Sequence, residues 1–438
     1  MDVAQPMKIS GKYLDYGFLG FALILSTGAG QSKFIDVSST DALNQGSRLL
    51  QILWSCVYVI AIIRGVRNRH AIAAFFRRNR AIAVLVVLPL LSSLWSAAPS
   101  VSLRHAVALI LTTLLAIDFA SRHPVEQQLQ MIEPIFIAII LIGVAAQLFA
   151  PGFFPVTNFG NYVSDADAWN GAFIHKNDFG RFIAVTMLIA LVRDSRSRWG
   201  RILRLFWILT TFVLIVKAHS STGLACMLLM CLCARWIFTL HWSLRTRKLA
   251  LLAFIFVAGT VLILASQDAG LLTRLLGRDA TLTGRTTLWW LSLASALRHP
   301  MLGYGYDAYW TATSEANQIR YSIGWDAPHA HNAFIEFLLE LGLVGLIAFL
   351  AATIVNLRRA ARFLRVSIGR EGVWPLSYIV FTLIYGLTES SPLVPNSIYW
   401  IMFVAVAYSV CQVPELSADP YPIGADVLMV HAEADAVV

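Results

Sequence analysis

The apolar residues of this chain fall in blocks of roughly 16–27, each long enough to cross a hydrocarbon layer of ~30 Å. No other feature constrains the fold as strongly. A backbone in lipid must satisfy its own peptide groups, so the expected fold class is an all-α polytopic membrane protein. Composition agrees: of 438 residues, 58% are hydrophobic and 13% charged, with a mean hydropathy of +0.67. An ordinary soluble domain carries about 25% charged residues.

Apolar blocks and their polar breaks predict about twelve transmembrane helices. They run near 14–30, 49–66, 81–97, 103–120, 126–149, 179–193, 202–217, 220–240, 249–266, 331–357, 375–389 and 396–412. Lys8 and Lys12 precede the first block, but Asp15 interrupts it and "STGAG" is a poor cleavage site, so it reads as a retained span. Arginine is dense in 64–80, 193–204, 245–248 and 358–370, and scarce in 31–47, 97–102 and 390–395. With about twelve spans every arginine-dense loop falls on one side, which the positive-inside rule makes cytoplasmic, together with both termini. The net charge of +9 is therefore topology information, and no nucleic-acid motif accompanies it. Five cysteines (Cys56, Cys226, Cys231, Cys233, Cys411) lie in or beside apolar blocks without disulfide or metal-site spacing and read as small core residues.

The expected organisation is a first bundle of about nine spans over 1–266, a long outer loop over 267–330, about three further spans over 331–412, and an acidic, disordered cytoplasmic tail over 413–438. The outer loop is rich in Trp, Tyr and Leu, and helical periodicity over 285–298 ends at Pro300, so it should fold as a cap carrying short helices. No Walker-type motif occurs, so the driving force must arrive with the substrate.

Polar groups gather at the outer ends of the predicted spans. In "HKNDFGRF", His175 or Asn177 can cap a helix, Asn177 and Arg181 share a face, and Lys176 lies beside them. Cations at a helix N-terminus oppose the macrodipole, and their presence points to an anion bound between them. In "WDAPHAHNAFIEFLLELGLVGL", His329, His331 and Asn332 open a helix of about 27 residues, roughly 40 Å long. Glu336 and Glu340 follow at four-residue steps, and Gly342 and Gly345 permit close packing by another helix. In "GRDATLTGRTTLWW", Arg285 opens the cap helix with Trp289 four residues on. Arg104 stands at the outer entry of a span, and Glu389, at the end of the eleventh, is placed to pair with one of these cations. Cations suited to a pyrophosphate beside a histidine suited to take a hydroxyl proton describe transfer chemistry. Trp289, Trp310, Tyr304, Tyr306 and Tyr309 are candidate sugar-stacking rings. A flippase would instead place its charges near the midplane. A metal-dependent transferase would have to use His175, His329 and His331, whose spacing is poor for ligation.

His331-Asn332, nine residues, Gly342, two residues and Gly345 resemble the signature of bacterial O-antigen ligases and polymerases, and "GAFIHKNDFG" and "GRDATLTGRTTLW" resemble its exopolysaccharide-polymerase branch. The likeness runs from about Leu94 to about Trp400. It implies a GT-C-like glycosyltransferase in the bacterial inner membrane, working at the periplasmic face without cofactor or metal. It implies an undecaprenyl-diphosphate-linked oligosaccharide as donor and, as acceptor, either a second such oligosaccharide in a polymerase, with a chain-length-regulating membrane protein as partner, or a lipid A core or other acceptor in a ligase. By the same resemblance His331 is the general base and Arg285, Arg181 and Lys176 grip the diphosphate. His329, Asn332, Glu336, His175, Asn177, Arg104 and Trp289 then support the site or bind acceptor.

Overall fold

The computed structural model describes residues 9–35, 47–154, 168–193, 197–220, 223–228, 230–231, 285–367, 369–389 and 392–413. Among them the regular structure is helical, without strands. The helices are α1 (Ile9–Ser26), α2 (Arg48–Arg67), α3 (Arg69–Arg78), α4 (Arg80–Ser92), α5 (Pro99–Arg122), α6 (Val125–Phe149), α7 (Lys176–Val192), α8 (Arg198–Lys217), α9 (Arg285–Ala296), α10 (Tyr309–Ala312), α11 (Ser314–Ile323), α12 (Ala333–Val366), α13 (Trp374–Gly386) and α14 (Ile398–Cys411). Five of these, α2, α5, α6, α8 and α12, are long and apolar enough to cross a membrane. The expected span at 249–266, the end of that at 220–240, the first part of the outer loop and the tail beyond Val413 lie outside the described residues.

Burial is inverted relative to a soluble bundle. On α8, Leu205, Leu209, Phe212, Val213 and Val216 are exposed, as are Ile52, Val59, Ile62 and Ile63 on α2. Cys56 is exposed on α2 as well, so it is not the core residue the sequence suggested. Such apolar outer faces are stable only against lipid. Several charged groups that lie between helices are paired. Arg64 of α2 binds Asp118 of α5 at 3.0 Å and also contacts Asp15 of α1, and Arg122 binds Asp118 at 2.8 Å. Asp15, which breaks the first apolar block in sequence, is thus a buried partner that ties three helices together.

The structure departs from the sequence expectations in three places. Helix α3 occupies an arginine-dense stretch expected to be loop, anchored by Phe75, its one buried residue. Helix α4 ends at Ser92 rather than running to 97. The chain then turns and docks residues 302–306: Trp95 Nε1 donates to Leu302 O at 3.2 Å, Ala97 N to Tyr304 O at 2.9 Å, and Ser102 Oγ to Tyr306 O at 2.6 Å.

The third departure is the most consequential. The helix expected to run unbroken from 331 begins at Ala333 and is interrupted at Gly342, whose φ of 63° and ψ of −161° are not helical. The break exposes peptide groups that residues 300–305 satisfy. Tyr304 N donates to Leu339 O at 2.7 Å and Gly305 N to Glu340 O at 3.0 Å, while Leu343 N donates to Pro300 O at 2.8 Å. The glycine therefore admits the backbone of a loop, not another helix. A Cβ at Gly342 would stand 2.3 Å from the Met301 carbonyl carbon, in a left-handed conformation that side chains rarely adopt. Gly342→Ala is expected to cost roughly 2–6 kcal/mol from backbone strain and overpacking. It should appear as loss of membrane-inserted, protease-resistant protein, and normal levels of the variant would contradict the docking.

Over the described part of the outer loop, α9, α10 and α11 enclose their own apolar cluster of Leu288, Tyr304, Tyr309, Trp310, Ile319 and Ala327, seated on Ile335 and Leu339 of α12. The expected sugar-stacking rings are used here. Tyr306, 1% exposed, packs into the main helix core with its hydroxyl donating to Leu393 O at 2.6 Å, while Tyr309, 0% exposed, is buried in the cap with Tyr304 and Trp310, so these faces are closed to ligand. The burial of Tyr304, Tyr309 and Trp310 is what holds the cap together.

Candidate active site

Four chain segments meet at the carboxylate of Glu389, just beyond the end of α13. His331 Nδ1 lies 3.0 Å from Oε2, Arg285 Nη2 donates to Oε1 at 3.0 Å, and Asn177 Nδ2 donates to Oε1 at 2.9 Å. All four side chains are largely withdrawn from solvent. Burial alone would raise the Glu389 carboxyl, but the charges and hydrogen bond of His331 and the Arg285 guanidinium outweigh it and hold the group well below the usual carboxylate range.

Each partner is fixed by its own element. Arg285 opens α9, and its other arm donates to Thr388 O, next to Glu389 in sequence. Asn177 lies in the first turn of α7, where His175 is the N-cap, its Nδ1 accepting from Asn177 N at 3.2 Å. Asn177 Oδ1 accepts from Ser220 Oγ at 3.1 Å, so both ends of its amide are engaged. His331 sits outside α12, in the left-handed region at φ 48°. That conformation is strained for a non-glycine residue and points to a constraint at this position. Asn332 follows as the N-cap of α12, its Oδ1 accepting from Phe334 N at 3.0 Å and Ile335 N at 3.2 Å, while its Nδ2 donates to Leu387 O at 3.1 Å. Its role is therefore to start the helix and to bind the end of α13.

The carboxylate can only accept, so the bond to His331 requires a proton on Nδ1. When the ring is neutral, that tautomer leaves Nε2 with its lone pair, and Nε2 makes no hydrogen bond among the described residues. His329 packs against His331 with ring centroids 4.1 Å apart, and its Nδ1 accepts from His331 N at 3.2 Å. Burial lowers His329 well below the ordinary imidazole value and lowers His175 to about 4. Both are neutral at physiological pH, so neither adds a cation to the site.

The remaining sequence candidates separate into two groups. Arg181, one turn further along α7 from Asn177, is 9% exposed and lies over the rings of Tyr399 at 3.6 Å and Tyr385 at 4.6 Å. Among the described residues it has no carboxylate partner, and its Nε is buried without an acceptor. Lys176, half-buried in the same first turn, contributes positive charge beside His175. The others are structural. Glu336 accepts from Trp310 Nε1 at 2.8 Å and from Ala330 N at 2.7 Å, pinning the cap to α12. Trp289 Nε1 donates to Ala330 O at 3.0 Å, bracing the turn that carries His331. Arg104 is exposed on α5 and makes no bond to this group. On the same helix, His105 instead pairs with Asp307 of the cap.

His329, His331 and Glu389 offer three ligand atoms within 4.8 Å of one another, a set able to hold a metal ion. The histidine trio considered from the sequence is thereby replaced by one that includes a carboxylate. A divalent ion there would compete with Arg285 for the same carboxylate, and a guanidinium 3.0 Å from a ligand oxygen is an unfavourable neighbour for a dication.

The O-antigen ligase family model matches residues 205–350, a stretch that contains Arg285 and His331. The chain is also 30% identical over 269 residues to the exopolysaccharide production protein ExoQ of Rhizobium meliloti (strain 1021). That match covers 58% of this chain and 58% of the relative's own length.

Proposed function

We propose that this chain is a member of the O-antigen ligase and polymerase superfamily, in its exopolysaccharide branch, and a membrane glycosyltransferase that joins lipid-linked oligosaccharide repeats into a polymer; the family match over 205–350 and the likeness to an exopolysaccharide production protein support this reading. The donor is an oligosaccharide on undecaprenyl diphosphate, and the acceptor is the non-reducing end of a second one. The protein lies in the bacterial inner membrane with about twelve spans in a GT-C-like arrangement and both termini in the cytoplasm. The site faces the periplasm, and a membrane protein that regulates chain length is a natural partner.

The observation that carries this reading is the meeting of His331 and Arg285 on one buried carboxylate. Arg181 lies a turn from the Asn177 that joins them, as a buried cation whose Nε has no acceptor among the described residues. Arg181, Arg285 and Lys176 bind the donor diphosphate. The acceptor hydroxyl gives its proton to His331 Nε2 as its oxygen bonds to the donor's anomeric carbon. The bond from that carbon to the phosphate oxygen breaks, its electron pair leaves with undecaprenyl diphosphate, and a single displacement inverts the anomeric centre. Glu389 is the positioning residue: it fixes the His331 tautomer and stabilises the imidazolium formed during transfer. No metal takes part, because the carboxylate that would ligate it already serves Arg285, Asn177 and His331.

A ligase that hands finished glycan to a lipid A core would use the same machinery. A flippase would move the lipid-linked sugar without lengthening it. Deletion of the gene separates the three. Accumulated lipid-linked single repeats at the periplasmic face support the polymerase, long lipid-linked chains identify a ligase, and repeats trapped at the cytoplasmic face identify a flippase. Purified protein with lipid-linked repeats should lengthen them in the presence of a chelator, and dependence on added metal would refute the metal-free route.

A further inference from the structure

A charged cavity lies toward the other end of α12. Asn356 stands 24 residues beyond Asn332 (356 − 332), which is on the order of 35 Å along the helix. There a cavity of about 240 Å³ opens between the α3–α4 junction and α12, and Arg77, Arg78, Arg80 and Arg359 line it with Asn79, Val355 and Asn356. Several guanidinium groups elsewhere meet acids: Arg64 and Arg122 meet Asp118, Arg193 meets Glu133, and Arg298 meets Glu315. The four cavity arginines have no carboxylate partner among the described residues. Arg359 is spent on Asn79 and on Arg78 O, and Arg78 donates to Cys411 O and Gln412 Oε1. Those contacts hold the wall in place and leave the positive charge uncompensated.

The cavity also has an unmet acceptor. Asn356 is 1% exposed, and its Nδ2 donates to Ala352 O at 2.8 Å, which fixes the amide's orientation. Its Oδ1 then has no donor among the described residues. A buried acceptor left unpaired is destabilising and calls for a donor from outside the chain. The apolar helices α4 and α12 flank the cavity, so its ligand should be charged at one end and greasy at the other.

We propose that this cavity binds the headgroup of an anionic phospholipid that carries a hydroxyl, a phosphoglycerol type. The arginines take the phosphodiester, and a glycerol hydroxyl donates to Asn356 Oδ1. This site is independent of the transferase reading. The test uses purified full-length protein in a neutral detergent and measures retention of short-chain phosphatidylglycerol, phosphatidylmethanol and phosphatidylcholine by native mass spectrometry. Phosphatidylglycerol should bind about tenfold or more tightly than phosphatidylcholine, and more tightly than phosphatidylmethanol, which has the charge but not the hydroxyl. The double variant Arg77→Gln/Arg80→Gln, which alters two exposed side chains that make no hydrogen bond or ion pair among the described residues, should remove the anionic preference while keeping the wild-type melting temperature. Asn356→Leu should equalise phosphatidylglycerol and phosphatidylmethanol while both still exceed phosphatidylcholine. Equal retention of all three lipids by wild type would overturn the proposal. Displacement of phosphatidylglycerol by millimolar inorganic phosphate would overturn the lipid as the source and leave a free-phosphate site.

Discussion

A His331→Ala chain is expected to make no polymer while lipid-linked single repeats accumulate and the protein inserts at its normal level. Removing a general base costs about 10²–10⁴ in rate, and in polymer synthesis that loss compounds over every added repeat. The fold should survive, because the helix start depends on Asn332 and the turn is braced by Trp289 and Glu336 rather than by the imidazole. The readout is the length ladder of lipid-linked glycan in a deletion strain carrying the variant. Near-wild-type polymer would remove His331 from the chemistry and with it the proposed direction of proton transfer.

Glu389→Gln should have the second largest effect, in a different pattern. The amide still fills the space, but it cannot accept from Arg285, Asn177 and His331 together, and it no longer selects the Nδ1-protonated tautomer. The expected result is a fall in kcat of about 10²–10³-fold with a smaller change in KM. Glu389→Asp should recover part of the loss, and a variant that altered KM alone would assign Glu389 to substrate binding instead. Stability supplies a second readout. A carboxyl held below its ordinary value stabilises the fold above that value, and the contribution fades as pH falls through the folded value. The gap in melting temperature between wild type and Glu389→Gln should therefore be widest near neutral pH and narrow below about pH 4.

Individual residues of the site were legible in the sequence because charge at the edge of an apolar block is costly and therefore informative. His331, Arg181 and the capping pair His175 and Asn177 stand out on that ground, and Arg285 by opening a predicted helix four residues before Trp289. Glu389 was visible only as a possible partner for a nearby cation. Its place at the centre was not legible, because the contacts that define it span 58, 104 and 212 residues of chain, and a spacing of that size carries no periodic signal. The same limit applies to the break in α12. Gly342 and Gly345 have the spacing of a helix-packing motif, and only the left-handed backbone at Gly342 shows that the neighbour is an extended segment. The aromatic residues of the cap misled for a related reason: rings that close a small apolar cluster and rings that stack on sugar have the same composition.

The seam at Gly342 also bears on how the protein is made. Residues 300–305 leave the ribosome before α12, whose two halves reach hydrocarbon with the carbonyls of Leu339 and Glu340 and the amide of Leu343 unmet. Each unmet peptide group in lipid costs several kcal/mol. Stable lateral release of this span from the insertion machinery must therefore coincide with closure of the segment ahead of it. Maturation of the His331 turn, which lies between the two, becomes part of the same cooperative event.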